Sequence, residues 1–286
     1  MDNSLRFGRF TSSKIQALMT VGTRPMTDEE MAEYKAKEPK GKKKNIVGGF
    51  GMPALKYIKQ KGMERRLGRR IDVENNARPL QWGKCVESIP FEKLGTAYKM
   101  CSADTIIHPE YDFWAGTPDM IKYENGLRVV CDIKCPLTLE SFCDFVDCIT
   151  LVEVDGVWVM DETATITKVR EFHADGETYY WQLVSNAILT GCNRAELVVY
   201  MPYESELQEV KNSAEFFGYQ WIVFGHECEF PYLIDGGHYK NINVIPFDIP
   251  QSDIDLLTAN VIKANSMLEP TKFIVHDHNV TVHDSI

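Results

Sequence analysis

The sequence predicts a single mixed α/β (α+β) domain spanning all 286 residues. Three observations lead there. Asn125-Gly126 separates two β-rich runs, and Asn-Gly is the strongest short-range signal for a two-residue hairpin turn, because both central positions need φ > 0. The run after the turn alternates: Leu127, Val129, Cys131 and Ile133 on one side, Arg128, Val130, Asp132 and Lys134 on the other. That is the period of a strand with one buried face. Further on, Tyr180, Leu183, Val184, Ala187 and Ile188 form a helical stripe over 179–190, followed by an apolar strand over 195–203. With no internal repeat, low-complexity tract or linker, these elements fit one domain built on a mixed sheet.

In chain order, Leu5 to Thr20 reads as a short extended piece and then a helix capped by Ser12 or Ser13, with Ile15, Leu18 and Met19 as its apolar stripe. Residues 21–53 are loop-like, and 54–70 form a basic helix with Leu55, Ile58 and Met63 inward. Residues 79–99 are mainly helical. Pro90 requires either a kink there or a helix that starts close to Glu87 and holds the proline in its first turn. Residues 102–115 lead into the Asn-Gly hairpin, and Asp155-Gly156 marks a second hairpin within 150–170. Strands are expected over 219–234 and 241–249, and an amphipathic helix over Ser252–Met267 with Ile254, Leu257, Val261 and Ile262 inward. The tail from Glu269 is ambiguous.

A hydrophobic content of 44% and a charged content of 25% belong to an ordinary soluble protein. No apolar run reaches the ~18 residues that span a bilayer, which argues against a membrane partner. The first residues lack the apolar region of a secretory signal. Together with eight scattered cysteines, this points to reduced thiols in a cytoplasm. Cys131 and Cys135 lack the second pair a structural zinc site needs, and His108, His173 and His226 form no metal trio. Net charge is −10, yet residues 35–70 carry thirteen Lys+Arg against Glu38 and Glu64. Such asymmetry is either a solvated basic loop or a surface that faces a polyanion. Arg6, Arg9, Ser13 and Lys14 gather donors around a helix start, a natural place for phosphate.

The chemistry concentrates at the first hairpin. A two-residue turn places Asp119 opposite Asp132, with side chains on one face and Cβ atoms about 5 Å apart. Lys134, two residues on, shares that face. Opposed acids destabilise a hairpin unless a cation sits between them. Either a divalent metal does so, or the pair is a surface feature neutralised by Lys122, Arg128 or Lys134.

Pro118-Asp119 followed by Asp132-Ile133-Lys134 resembles the PD-(D/E)XK nuclease motif. The blocks RFGRFTSSKI, QWGKCVES, GTPD…DIKCP and YYWQLVSNAILTG, in that order from Leu5 to about Tyr203, are similar to the YqaJ-type viral recombinase family of lambda exonuclease. The resemblance implies a restriction-endonuclease-like core, a central mixed sheet flanked by helices. It implies a Mg²⁺-dependent exonuclease, with Mn²⁺ as a substitute ion, that degrades linear double-stranded DNA 5′→3′ for phage-type recombination in a bacterial or phage-infected cytoplasm. By the same analogy the chain would form a homotrimer and work with a single-strand annealing protein. Asp119, Asp132, Glu87 and the backbone carbonyl of Ile133 would hold two ions, Lys134 would position the attacking hydroxide, and Gln182 would bond the water or a phosphate oxygen. Arg6, Ser13 and Thr117 would hold the terminal 5′ phosphate. Leu80 could wedge into a DNA end, although packing in the core is the more ordinary fate. The alternatives are an endonuclease of the same fold and a non-catalytic DNA-binding member. Three departures stand out: Met120 where a glycine often follows the Pro-Asp pair, a long 134–182 interval containing the 150–170 insertion, and Pro90 close to Glu87.

Overall fold

A computed structural model describes residues 3–42, 45–71, 77–101, 105–124 and 126–268. Its centre is a five-stranded mixed sheet of β1 (Tyr98–Met100), β2 (Met120–Glu124), β3 (Leu127–Lys134), β4 (Arg194–Tyr200) and β5 (Ile242–Asp248), in the order β5-β4-β3-β2-β1. The β3–β4 pair is parallel and the others antiparallel. The hairpin register is the one expected, with Glu124 opposite Leu127, Lys122 opposite Val129 and Met120 opposite Cys131. Gly126 has φ 78°, while Asn125 lies outside the described residues.

The helices that matter for the site are α1 (Met52–Leu67), α2 (Arg78–Val86) and α3 (Gly176–Thr190). One face of the sheet, with Met120, Val129, Cys131, Ile133 and Val198, closes over a small cluster that includes Tyr98. The opposite face, with Ile121, Val130, Leu197 and Val199, joins the main core beneath α3. β3 is therefore buried on both faces from Val129 to Ile133, not on one as its alternation suggested. A central strand flanked by parallel and antiparallel neighbours is covered on both sides, so Asp132 and Lys134 point at a helix instead of at water.

Several local expectations change for identifiable reasons. Ser12–Met19 is a 3₁₀ helix with Thr11 at its cap position, and its three-residue period buries Ser12, Ile15 and Leu18. The described residues of 21–53 form regular elements: Val21–Pro25 pairs antiparallel with Asn45–Phe50, and helix Asp28–Lys37 starts from a capping box between Thr27 and Glu30. In α1 the inward residues are Ala54, Tyr57, Ile58, Lys61 and Glu64, while Leu55 is exposed. At Pro90 the second alternative holds: α2 ends at Val86 and a separate helix, Ser88–Lys93, takes the proline in its first turn. The second hairpin spans Leu151–Val154 and Val157–Met160, with Asp155 and Gly156 at positive φ; Asp161 then caps helix Glu162–Phe172. The 219–234 region contains short helices and only an isolated bridge at Leu233. In helix Gln251–Ser266 the buried residues are Leu257, Val261 and Ala264, with Ile262 outward. None of the eight cysteines forms a disulfide.

Helix α3 is buried nearly all round and ties the N-terminal segment to the sheet. The Trp114 indole donates to Ser185 Oγ at 2.9 Å, and Ser12 Oγ meets the same oxygen at 2.9 Å. Gly116, ending the Trp114–Gly116 strand, allows this approach, because a Cβ there would lie 2.2 Å from Ser12 Oγ and 2.7 Å from Asn186 Oδ1.

Candidate active site

The hairpin, the end of α2 and the face of α3 converge on one buried polar patch. Asp119 sits just before β2, and its Oδ2 accepts the Ile133 backbone N–H at 2.8 Å. Across the hairpin, Asp132 is fully buried. Its Oδ1 accepts from Gln182 Nε2 at 2.8 Å, and its Oδ2 is paired with the Lys134 ammonium. Gln182 uses both ends of its amide: Nε2 serves Asp132, and Oε1 faces Lys134 Nζ at 3.5 Å. The Lys134 ammonium also lies 4.8 Å from the centre of the Tyr179 ring. Tyr179 and Gln182, three apart on α3, form one side of the patch.

Glu87 belongs to the same patch. It occupies the break between α2 and the Pro90 helix, so the proline places this carboxylate instead of displacing it. Burial, and then the neighbouring Asp132 charge, raise its pKa. Burial followed by Asp132 and Glu87 raises that of Asp119 well above 3.8, against the Ile133 N–H, which favours the charged form. Burial works against charge on Lys134, but Asp132 and Asp119 outweigh it and leave its pKa raised. Three carboxylates thus share one ammonium in a poorly hydrated pocket, an arrangement short of positive charge.

This donor set fits a divalent cation. It consists of oxygen ligands, with Asp119, Asp132 and Glu87 gathered around the single Lys134 ammonium. Among the described residues no three His, Cys, Asp or Glu side chains cluster tightly enough to enclose an ion. A cation here must complete its shell with backbone, water and substrate oxygens, as magnesium commonly does.

Arg6 and Ser13 meet as well: Arg6 Nη2 donates to Ser13 Oγ at 3.2 Å. The Thr117 hydroxyl lies 3.4 Å from Thr105 Oγ1, and the preceding residue, Gly116, packs against Ser12. Burial and the nearby Arg70 lower the Arg6 pKa, so a second guanidinium faces this spot. Neither Arg70 nor Tyr179 stands out in the sequence; for Tyr179 the one signal is its i, i+3 spacing with Gln182. Leu80 is not in the core, being 51% exposed on α2. His173 is buried and His226 exposed, each within its own surroundings. Among the described residues no helix is long and apolar enough to cross a membrane.

Neither a family model nor any curated protein matches this chain. The fold does have solved counterparts. An alkaline exonuclease from Laribacter hongkongensis superposes with a TM-score of 0.54 at 13% identity, covering 94% of this chain and 93% of that one. The same enzyme in complex with dAMP superposes at 0.51, again 13% identical, over 93% and 90%. A phage related exonuclease from Haemophilus somnus 129PT superposes at 0.52 with 15% identity, over 93% and 96%. The central mixed sheet flanked by helices is therefore the fold of these exonucleases over nearly the whole length of each chain.

Proposed function

We propose that this protein is a metal-dependent exodeoxyribonuclease that degrades linear double-stranded DNA from its ends in the 5′→3′ direction. The observation that carries the reading is the buried set of Asp119, Asp132 and Glu87 around Lys134, on a fold shared with exonucleases. Asp119, Asp132, Glu87 and the Ile133 carbonyl would hold Mg²⁺ or Mn²⁺, two ions in all. When bound, such ions activate water and stabilise charge on the departing 3′ oxygen.

The chain's own residues supply the rest. Lys134, kept protonated by Asp132 and Asp119, orients the attacking hydroxide and places fixed positive charge beside the phosphorus as negative charge develops. Gln182 holds Asp132 and Lys134 in register through its two amide ends, so it acts on the attack through both. Arg6 and Ser13, with Thr117 on the adjoining segment, take the terminal 5′ phosphate, and exposed Leu80 is available to press against the opened end. The net charge of −10 leaves the basic 35–70 segment to meet the DNA backbone. The expected setting is phage-type recombination in a bacterial cytoplasm, as a trimer alongside an annealing protein. Linear and covalently closed duplexes incubated together in Mg²⁺ test the reading: the linear form is degraded and the circles persist. Cutting of closed circles would instead establish an endonuclease.

A further inference from the structure

Outside the catalytic patch lies a second buried charged cluster, on α1. Glu64 is completely buried and Lys61 nearly so, and the two are paired at 2.8 Å. Burying such a pair costs desolvation that its own attraction does not reliably offset, so it calls for another purpose. Glu64 Oε2 also accepts the Gly8 backbone N–H at 2.8 Å, and the next residue, Arg65, donates from Nε to the Gly8 carbonyl at 2.8 Å. Two consecutive α1 residues therefore hold both polar groups of Gly8. Two helical turns earlier, the Tyr57 hydroxyl accepts the Thr11 N–H at 2.7 Å. Gly8 has φ 68°, and a Cβ there would lie 2.7 Å from Arg65 Cγ, so the clamp is shaped to glycine. The clamped residues, Gly8 and Thr11, lie between Arg6 and Ser13, the two that meet through the guanidinium–hydroxyl bond.

We propose that Glu64 and Arg65 are positioning residues for end recognition: by clamping Gly8 they set where Arg6 presents its guanidinium to a terminal 5′ phosphate. This rests on the reading of Arg6 and Ser13 as the end anchor. It adds that the anchor's precision comes from α1, a helix that contributes none of the catalytic residues named above. Arg65 acts through direction and not charge. A lysine there keeps the positive charge but has carbon where Nε donates.

The test is fluorescence-anisotropy binding of one labelled duplex carrying either a 5′ phosphate or a 5′ hydroxyl, in chelator, for wild type, Arg65→Lys and Gly8→Ala. Wild type binds the phosphorylated end more tightly. In both variants that preference falls about tenfold or more, the scale of one hydrogen bond to a charged group. Lysine keeps the charge at position 65, so affinity for the hydroxyl end falls less than affinity for the phosphorylated end. Circular dichroism confirms folding, and either variant alone suffices if the other does not fold. Intact preference in the folded variants, or equal loss on both ends, overturns the positioning role. A wild type without preference overturns the end anchor and the clamp together. Binding needs no cleavage, so a wild type that prefers the phosphate yet cuts nothing in Mg²⁺ sinks the nuclease reading and leaves this one standing.

Discussion

Replacing Asp119 with Asn should make the metal-free protein more stable while abolishing cleavage. Asp119 lies one residue before β2, and carrying the β2–β3 register one step further sets it opposite Asp132, where antiparallel pairs have Cβ atoms about 5 Å apart. At an effective dielectric near 20, two like charges at that spacing repel by about 3 kcal/mol. Lys134 offsets part of this, and burial adds to it. Asn keeps an oxygen for the Ile133 N–H, so the hydrogen bond survives. We expect a gain of about 1–3 kcal/mol in chelator at neutral pH, which in a chain of this size raises Tm by roughly 2–5 °C. The pH dependence has a definite sign. The folded-state pKa of Asp119 lies above its ordinary 3.8, so below 3.8 the group is protonated in both states and costs nothing. As pH rises from 3.8 through the raised folded value, the unfolded state ionises more readily and wild type loses stability that the variant keeps. Adding Mg²⁺ should raise the wild-type Tm by mass action and move the variant much less. Thermal melts from pH 4 to 8, with EDTA or Mg²⁺, read all of this. A variant less stable than wild type in EDTA would show that Asp119 is a satisfied structural ion, and the metal-site reasoning would fall with it.

Other outcomes follow from the same geometry. Lys134→Met should lower cleavage about 10²–10³-fold or more, the scale for losing one preorganised charge donor, with the far-ultraviolet spectrum unchanged. Gln182→Leu leaves Asp132 Oδ1 without its amide donor and should lower the single-turnover rate while the protein still binds duplex. Tyr57→Phe removes the acceptor of the buried Thr11 N–H and should cost about 1–3 kcal/mol in urea unfolding.

The β2–β3 hairpin is legible in the sequence because its information is local. A two-residue turn sets the register, and register with a period of two settles that Asp119, Asp132 and Lys134 share a face. The α3 helix and the strand after it are equally plain, since their apolar periodicity is strong. The regular elements in 21–53 escape a reading by pattern although Thr27 and Glu30 spell out a capping box, because a short, weakly apolar hairpin and helix offer little periodicity. The short helices Gln220–Val223 and Glu227–Glu229 lose out to strand propensity in an aromatic-rich stretch, where packing overrides local preference.

By itself, then, the sequence determined the fold class, the hairpin register and the residues that gather there. Only the tertiary structure decided that β3 is covered on both faces, that Glu87 reaches the patch from a helix break, that Gln182 is held by Asp132 and Lys134, and that Glu64 and Arg65 grip Gly8. The physical reason is range: turns and strand alternation act over a few residues, whereas burial and charge coupling depend on segments tens of residues apart that meet only once the core has closed.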